Sequence, residues 1–276
     1  MSIQVLVLGR GFVGEYLEDI LEDKSVATTT TDGRENTIKW KFSTDTPLDF
    51  GVLPAATSSV VITFPVQGEA AMRQLVDGYL ACHCSLDPDY KSPRWIYLGS
   101  SRAFKEVPST RFTKPDLDAG GLRTFAEECL INEYGGCVLN LVGLWGGKRV
   151  PSEWSRFYTS KDKLRNRLND RSLHLIHGAD AARAIRACIC YKGELPAGRW
   201  LVSDDRVYDM LQIMIGAEHI RMYLEELWQD EQVQALLNAR TVDEVRLGPS
   251  EVTKRIESLH FWSHFGIQPQ YFYTIN

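Results

Sequence analysis

The chain has 276 residues, 44% of them hydrophobic, and a formal net charge of −5 from 31 basic and 36 acidic residues. This length allows one large domain or one domain with a smaller lobe, and the acidic balance argues against nucleic acid as a partner. No apolar run approaches the roughly 20 residues that span a bilayer, and the first strand begins too early to leave room for a targeting peptide. We therefore expect a cytoplasmic protein that does not contact membranes.

The first segment is a short apolar strand that leads directly into a glycine-rich loop. Residues 5–14 read VLVLGRGFVG, a G-x-G-x-x-G pattern, and apolar residues then recur at helical spacing. In such a loop the first glycine makes the turn, the second lets the backbone approach a pyrophosphate, and the third lets the helix pack on the sheet. We predict that the loop binds a dinucleotide through Gly9, Arg10, Gly11, Phe12, Val13 and Gly14.

Strands and helices alternate through the first half of the chain, which predicts a parallel sheet with helices on both faces. The predicted strands are 3–8, 25–31, 37–42, 58–64, 94–99 and 136–142, and the predicted helices are 12–22, 67–83 and 119–133. We predict an α/β fold with a Rossmann-type doubly wound parallel sheet. Residues 1–150 are expected to form its NAD(P)-binding domain.

The second half, residues 151–276, is predicted to form a small C-terminal α/β substrate lobe, largely helical and packed on the same domain. A helix or lid is expected over 154–168, a strand over 172–176, an amphipathic helix over 179–191 and a strand over 200–202. The chain from about 207 to 238 reads as largely helical, and 249–265 as a final helix before an aromatic tail.

Cysteine and histidine spacing does not predict a metal site. Cys82 with Cys84, and Cys188 with Cys190, form C-x-C pairs in predicted helices, where residues two apart point in different directions. We expect these thiols to be reduced and buried. His260 and His264 share a helix face, but no further ligand cluster lies nearby, so a packing role is favoured.

Five segments resemble, in order, the extended, epimerase-like and atypical branch of the short-chain dehydrogenase/reductase superfamily. They read LGRGFVG at 8–14, WIYLGSS at 95–101, NLVGLWG at 140–146, LIHGADAA at 175–182 and WLVSDD at 200–205. The resemblance implies that a serine at the end of the fifth strand faces the nicotinamide, which makes Ser100 a cofactor contact. It also implies that Thr63, Phe64 and Pro65 lie along the adenosine.

The chain departs from this superfamily where its active members carry a tyrosine and a lysine four residues apart. Alignment through Glu127 places Ala119 at the tyrosine position and Arg123 at the lysine position, and Y-x-x-x-K occurs nowhere in the chain. Alanine cannot exchange a proton, and the high pKa of arginine makes it a poor acid–base partner, although it can hydrogen-bond a ribose or phosphate. The usual proton relay is therefore absent.

The remaining candidates for catalysis are few. Ser100, Ser101 and Arg123 are the candidate catalytic residues, because open α/β sheets form their sites at the carboxyl ends of strands. His177 with Asp180 is an alternative acid–base pair. The loop that carries Trp145, Lys148, Arg149, Trp154 and Arg156 is a candidate wall for a cleft that suits an aromatic or anionic ligand.

The end of the second strand favours NADP over NAD. Sites that prefer NAD commonly place an acidic residue there, whereas this chain has four threonines, Asp32 and then Arg34. Hydroxyls and an arginine suit a 2′-phosphate, so Thr30, Thr31 and Arg34 are predicted cofactor contacts, and Arg10 points the same way. Asp32 leaves NAD as an alternative cofactor.

These observations favour an NADP-dependent oxidoreductase that acts on a small organic substrate without the tyrosine–lysine relay. The alternative is a redox-silent isomerase or cyclase, or a dinucleotide sensor. A hydrolase is disfavoured because residues 99–103 read GSSRA and lack the second glycine of a nucleophile elbow. The sequence leaves both a monomer and a homodimer open.

Overall fold

The structure is a computed structural model that describes residues 2–22 and 24–275. Its centre is a seven-stranded parallel sheet with the strand order β10-β6-β5-β4-β1-β2-β3. These strands are β1 (Ser2–Leu8), β2 (Val26–Thr30), β3 (Ile38–Lys39), β4 (Ala55–Ile62), β5 (Arg94–Ser100), β6 (Cys137–Leu141) and β10 (Gly198–Val202). Two small sheets pair β7 (Gly143–Trp145) with β9 (Leu175–His177), and β8 (Ser172–Leu173) with β11 (Tyr208–Asp209).

Ten α-helices accompany these strands in the described residues. They are α1 (Gly11–Ile20), α2 (Glu69–Leu86), α3 (Leu117–Gly120), α4 (Leu122–Tyr134), α5 (Lys161–Leu168), α6 (Gly178–Ile189), α7 (Met210–Met214), α8 (Glu218–Leu227), α9 (Glu231–Leu237) and α10 (Leu259–His264). Short 3₁₀ turns cover Ser101–Ala103, Pro151–Phe157, Val242–Glu244 and Pro249–Glu251.

The sheet is covered on both faces, which explains why its central strands are continuous apolar runs. In β1, Val5 and Val7 pack with the buried side chains of α1 and α6, while Leu6 and Leu8 pack with those of α2 and α4. The chain changes direction across the sheet between β1 and β4, and a doubly wound sheet forms its crevice at such a point. The predicted Rossmann-type fold is confirmed.

The second half of the chain contributes both to the sheet and to a separate core. Strand β10 pairs with β6, and α6 packs on α1, although both follow residue 150. Helices α5, α7, α8 and α9 bury a core of their own with β9 and β11. This second core forms a helical lobe beside the sheet.

Five predicted elements differ from the structure. The strand expected over 172–176 divides at His174 into β8 and β9, which belong to different sheets. The helix expected over 119–133 is interrupted at Gly121, whose φ of +63° ends α3 and starts α4. The strand expected over 37–42 covers only Ile38–Lys39. The stretch from 207 to 238 begins with β11 and then divides into three helices. The final helix expected over 249–265 is wrong for most of its length, because residues 255–257 are extended and hydrogen-bond to Ser109.

The cysteines are all free thiols, but not all are buried. Cys129, Cys137 and Cys188 are buried, Cys82 is half-buried, and Cys84 and Cys190 are exposed, so the prediction of buried thiols in the two C-x-C pairs is confirmed only for Cys188 and is wrong for Cys84 and Cys190. Within the described residues, no three His, Cys, Asp or Glu side chains are grouped as a metal site would need. No helix in residues 2–22 and 24–275 is both long and apolar enough to cross a membrane.

Candidate functional site

The glycine loop at the end of β1 has a backbone that only glycine accommodates without strain. Gly9 has a φ of +90°, and a Cβ there would lie 2.7 Å from Thr63 Oγ1. Its N–H donates to Thr29 Oγ1 at 2.8 Å, which fixes the turn against β2. Gly11 has a φ of +37°, and a Cβ there would meet no atom within 4 Å. The loop is therefore tightly packed at Gly9 and open at Gly11.

Helix α1 begins at this open position without a capping side chain. Arg10 occupies the N-cap and makes no side-chain cap hydrogen bond, and the first turn contains no acidic residue. The first-turn N–H groups thus lack the side-chain acceptor that many helices provide, and such groups readily bind phosphate oxygens. The loop fits the pyrophosphate of a dinucleotide.

A crevice of about 390 Å³ adjoins the loop at the carboxyl ends of β1 and β2. Aromatic side chains form part of its wall, with the rings of Phe42 and Phe64 stacked at 5.9 Å and 20°. Three cations, Arg10, Arg34 and Lys41, also line it. The full lining is Gly9, Arg10, Gly11, Thr29, Thr30, Thr31, Arg34, Trp40, Lys41, Phe42, Phe64 and Pro65.

The three cations of the crevice differ in how they are paired. Arg10 Nε lies 2.5 Å from Glu18 Oε2, and its guanidinium also contacts the carboxylate of Glu35. Arg34 pairs only loosely with Asp32, at 3.6 Å between two side chains that are more than half exposed. Among the described residues Lys41 has no ion-pair partner. Arg34 and Lys41 are therefore freer than Arg10 to meet an anion.

The sequence predicts most of this crevice, and apart from Thr29 in β2 the lining residues that it misses are Trp40, Lys41 and Phe42. These residues follow the two-residue strand β3, which pairs with β2 and so carries them to the crevice. Their positions depend on that pairing. The predicted contacts Phe12, Val13 and Gly14 lie in the first turn of α1, and Thr63 closes the loop by donating to the Leu8 carbonyl at 3.1 Å.

Ser100 ends β5, and Ser101 begins the turn that follows it. The Ser100 N–H donates to Glu127 Oε1 at 3.1 Å, and its hydroxyl oxygen accepts the N–H of Arg102 at 3.3 Å. Ser100 therefore caps the 3₁₀ turn Ser101–Ala103. Both serines line a second cleft, described below, and among the described residues that line the glycine-loop crevice neither serine is present, so a contact between Ser100 and the cofactor stays a prediction.

Arg123 lies against β5, and it does not share a helix with Ala119. Its guanidinium donates to the Leu98 carbonyl, and its Nε lies 3.9 Å from Glu127 Oε1. Because Gly121 separates α3 from α4, Ala119 and Arg123 belong to different helices. The spacing that presents a tyrosine and a lysine together on one helix face is lost, and a ribose contact by Arg123 remains a prediction.

Glu127 is the centre of a buried polar network under Ser100. It is 1% exposed and accepts hydrogen bonds from the Ser100 N–H, from Asn140 Nδ2 at 2.8 Å and from the guanidinium of Arg199. Arg199 also contacts Glu128 at 2.9 Å. This network joins α4, β5, β6 and β10, and it fixes the backbone at the carboxyl end of β5.

The second cleft, of about 520 Å³, lies between the carboxyl ends of β5 and β6 and the lobe. Within the part of the chain that the structure describes, its lining does not include the loop residues expected there from sequence. Arg149 instead packs on the ring of Phe12 at 4.3 Å, and Trp145 packs on His177 and Tyr273. The lining is Ser100, Ser101, Arg102, Phe104, Lys105, Leu141, Val142, Gly143, Arg167, Asp170, Ser172, Leu173, His174, Lys254 and Ile256.

His177 and Asp180 are close in sequence but have separate roles. His177 Nδ1 accepts the N–H of Ala179 at 3.2 Å and so caps α6, and burial lowers the pKa of its imidazole. Asp180 is fully buried, pairs with Arg183 and accepts the backbone N–H groups of Gln270 and Tyr271. His177 therefore caps the start of α6, and Asp180 binds the backbone of the C-terminal tail.

The fold is shared with several solved structures of low sequence identity. UDP-glucuronic acid 4-epimerase from Bacillus cereus, in complex with UDP-glucuronic acid and NAD, is 12% identical, with a TM-score of 0.61 over 99% of this chain and 95% of that one. The dTDP-glucose 4,6-dehydratase from Bacillus anthracis, in complex with NAD, is 15% identical, with a TM-score of 0.56 over 98% and 92%. Yeast methylglyoxal/isovaleraldehyde reductase, complexed with NADPH, is 15% identical, with a TM-score of 0.56 over 98% and 94%.

These likenesses confirm the fold that the predicted resemblance implies. No protein-family model matches the sequence, and no curated protein matches it.

Proposed function

We propose that this protein binds NADP in the crevice beside the glycine loop and acts as an oxidoreductase on a small organic substrate. The observation that carries the proposal is the uncapped, open start of α1 at Gly11 next to the two available cations Arg34 and Lys41. An uncapped helix start suits a pyrophosphate, and cations at the end of β2 suit a 2′-phosphate. The complexes of fold neighbours with NAD or NADPH add support by analogy.

Each part of the crevice has a role in holding this cofactor. The loop from Gly9 to Gly14 would hold the pyrophosphate, and Thr30, Thr31, Arg34 and Lys41 would hold the 2′-phosphate and ribose. Phe64 and Pro65 would lie along the adenosine. When bound, the nicotinamide supplies a hydride donor or acceptor.

The chain's own residues orient a substrate rather than exchange a proton with it. Ala119 has no ionisable group, and the Ser100 and Ser101 hydroxyls are weak acids. In the second cleft, burial and the nearby Lys254 lower the pKa of His174 to about 4, which leaves that ring neutral near pH 7. An iminium carbon accepts a hydride without a proton donor, so reduction of an imine group in the substrate would not need the missing tyrosine–lysine pair. Positioning alone can supply much of a rate enhancement.

A redox-silent role is the second candidate, and the interrupted helix at Gly121 favours it. With Ala119 and Arg123 on separate helices, the chain keeps the crevice but lacks the usual proton machinery. In that role the protein would be an isomerase, a cyclase or a dinucleotide sensor.

Tryptophan fluorescence provides a local test because Trp40 lines the crevice. We expect NADPH to quench the emission of the wild-type protein, and Trp40→Phe to lose most of this signal while NADPH still binds by calorimetry. Arg34→Gln and Lys41→Gln should each weaken NADPH binding by about five- to tenfold and leave NADH binding unchanged. The control variant Lys91→Gln removes one charge just before β5, at the amino ends of the strands and away from the crevice. It should change neither NADPH binding nor NADH binding.

Hydride consumption then separates the two functions. Oxidation of bound NADPH with any member of a carbonyl and imine panel supports the oxidoreductase. Tight binding without turnover across the panel supports the redox-silent role. Failure of both nucleotides to bind refutes both candidates.

A further inference from the structure

The second cleft has a composition that the dinucleotide does not explain. Its floor is the carboxyl ends of β5 and β6, with Ser100 and Ser101, and its far wall comes from residues 167–174 and 254–256 of the lobe. At about 520 Å³ it has the volume of a small-molecule site. It lies at the carboxyl edge of the sheet, as does the glycine-loop crevice, but is lined by other residues.

The charge of this cleft is strongly positive although the whole chain is acidic. Arg102, Lys105, Arg167 and Lys254 line it, against the single carboxylate of Asp170 among the lining residues. With His174 neutral, these side chains leave a formal charge of +3. A concave site with cations and low-dielectric walls raises the local concentration of anions.

Two of the four cations are already neutralised in part. Asp170 Oδ2 lies 3.5 Å from Arg167 Nη1 and 3.3 Å from Lys254 Nζ. Although burial opposes it, the attraction of these two cations holds the pKa of Asp170 below its usual range, so its carboxyl is ionised at neutral pH.

The other two cations are Arg102 and Lys105, for which the described residues supply no ion-pair partner. Arg102 follows Ser101 directly, within the 3₁₀ turn Ser101–Ala103, and Lys105 comes three residues later. All four side chains line the same cleft. The Ser100 oxygen accepts the Arg102 N–H, which leaves the hydroxyl proton of Ser100 free to donate to a ligand. Donors and unpaired positive charge therefore meet at the end of β5.

We propose that the substrate of this protein is a small organic anion, whose carboxylate or phosphate group is bound by Arg102 and Lys105 beside the Ser100 hydroxyl. This inference rests on the proposed function, because it takes the occupant of the cleft to be the substrate. Arginine and lysine are the side chains that bind both kinds of oxyanion through charge-assisted hydrogen bonds.

The test is calorimetric titration of the full chain with sodium succinate and with sodium phosphate, with succinamide as the uncharged analogue. We expect at least one anion to bind and succinamide not to bind. Succinate binding identifies a carboxylate ligand, and phosphate binding identifies a phosphate ligand. Arg102→Gln and Lys105→Gln should each weaken the binding at least tenfold, Arg102→Lys should retain most of it, and Lys91→Gln should leave it unchanged.

Several results would overturn the inference. These are no binding of either anion, equal binding of succinamide, or phosphate binding that is insensitive to both glutamine variants and so belongs to the start of α1. Unchanged melting temperatures of the variants would show that a lost anion site is not a folding defect. If NADPH binds and the anions do not, only this inference fails. If the anions bind and NADPH does not, the proposed function fails and the anion site stands.

Discussion

Replacement of Glu127 by glutamine should destabilise the protein by about 3 kcal/mol. The carboxylate is 1% exposed and is surrounded by donors: the Ser100 N–H, Asn140 Nδ2 and the guanidinium of Arg199. A glutamine keeps one oxygen but points two N–H groups at partners that are themselves donors. It also removes the charge that compensates Arg199, which is only 7% exposed.

The size of this loss in stability follows from the charge of Arg199, which stays buried after its partner is removed. The loss of one partner of a buried ion pair costs about 3–5 kcal/mol, because the other charge stays buried without compensation. Glu128 still contacts Arg199 at 2.9 Å and is about one-third exposed, so part of that compensation survives. The cost should therefore lie near the lower end of this range.

Urea unfolding followed by circular dichroism measures the effect. The matched control is Glu133→Gln, which breaks the exposed pair with Arg73 and should cost much less stability than Glu127→Gln. The double variant Glu127→Met with Arg199→Met should recover part of the loss, because neither of the two buried charges remains and Glu128, which loses its partner, is about one-third exposed. A cost below about 1 kcal/mol for Glu127→Gln would refute the account of this network.

Three further predictions concern strain and pH. Gly9→Ala should destabilise by about 2 kcal/mol and abolish nucleotide binding, because a Cβ at a φ of +90° meets Thr63 Oγ1 at 2.7 Å; unfolding and titration measure both effects. The pKa of His174 falls from 6.5 to about 4 on folding, so its contribution to stability is present above pH 6.5 and is lost as the pH falls towards 4; His174→Gln should remove up to about 3 kcal/mol of acid sensitivity. Burial raises the pKa of Asp204 from 3.8 to about 6, so its contribution has the opposite sign: it is present below pH 3.8 and is lost as the pH rises through 6. Asp204→Asn should therefore make the protein more acid-sensitive by up to about 3 kcal/mol.

Each of these predictions has a result that contradicts it. Wild-type affinity in Gly9→Ala would show that the tight turn is not required. Urea unfolding at a series of pH values reports the other two, and slopes that change in the same direction in His174→Gln and Asp204→Asn would refute the assignment of opposite signs.

The sequence predicts the sheet well because its signals are local. The run from Val5 to Leu8, the glycines after it and the later strand ends each have a pattern that sterics and burial impose over a few residues. The edge strand β3 and the final helix are less predictable. The length of β3 depends on its pairing with β2, and the extended conformation of residues 255–257 depends on their hydrogen bonds to Ser109.

The candidate site is harder to predict than the sheet, because it depends on contacts between residues that are far apart in the sequence. Arg10 was predicted to reach a 2′-phosphate, but Glu35, 25 residues later, engages its guanidinium. Lys41 reaches the crevice only because β3 pairs with β2. The anionic character of the proposed substrate follows from Arg102 and Lys105, whose surroundings come from the lobe and cannot be read from a local pattern.

The central claim is that the crevice beside the glycine loop binds NADP. Calorimetric titration of the wild-type protein with NADPH and NADH under the same conditions tests it most directly. The account predicts saturable binding of both, with NADPH about tenfold tighter because Arg34 and Lys41 meet the 2′-phosphate. Tighter binding of NADH would contradict the assignment of those cations, and no binding of either nucleotide would contradict the claim itself.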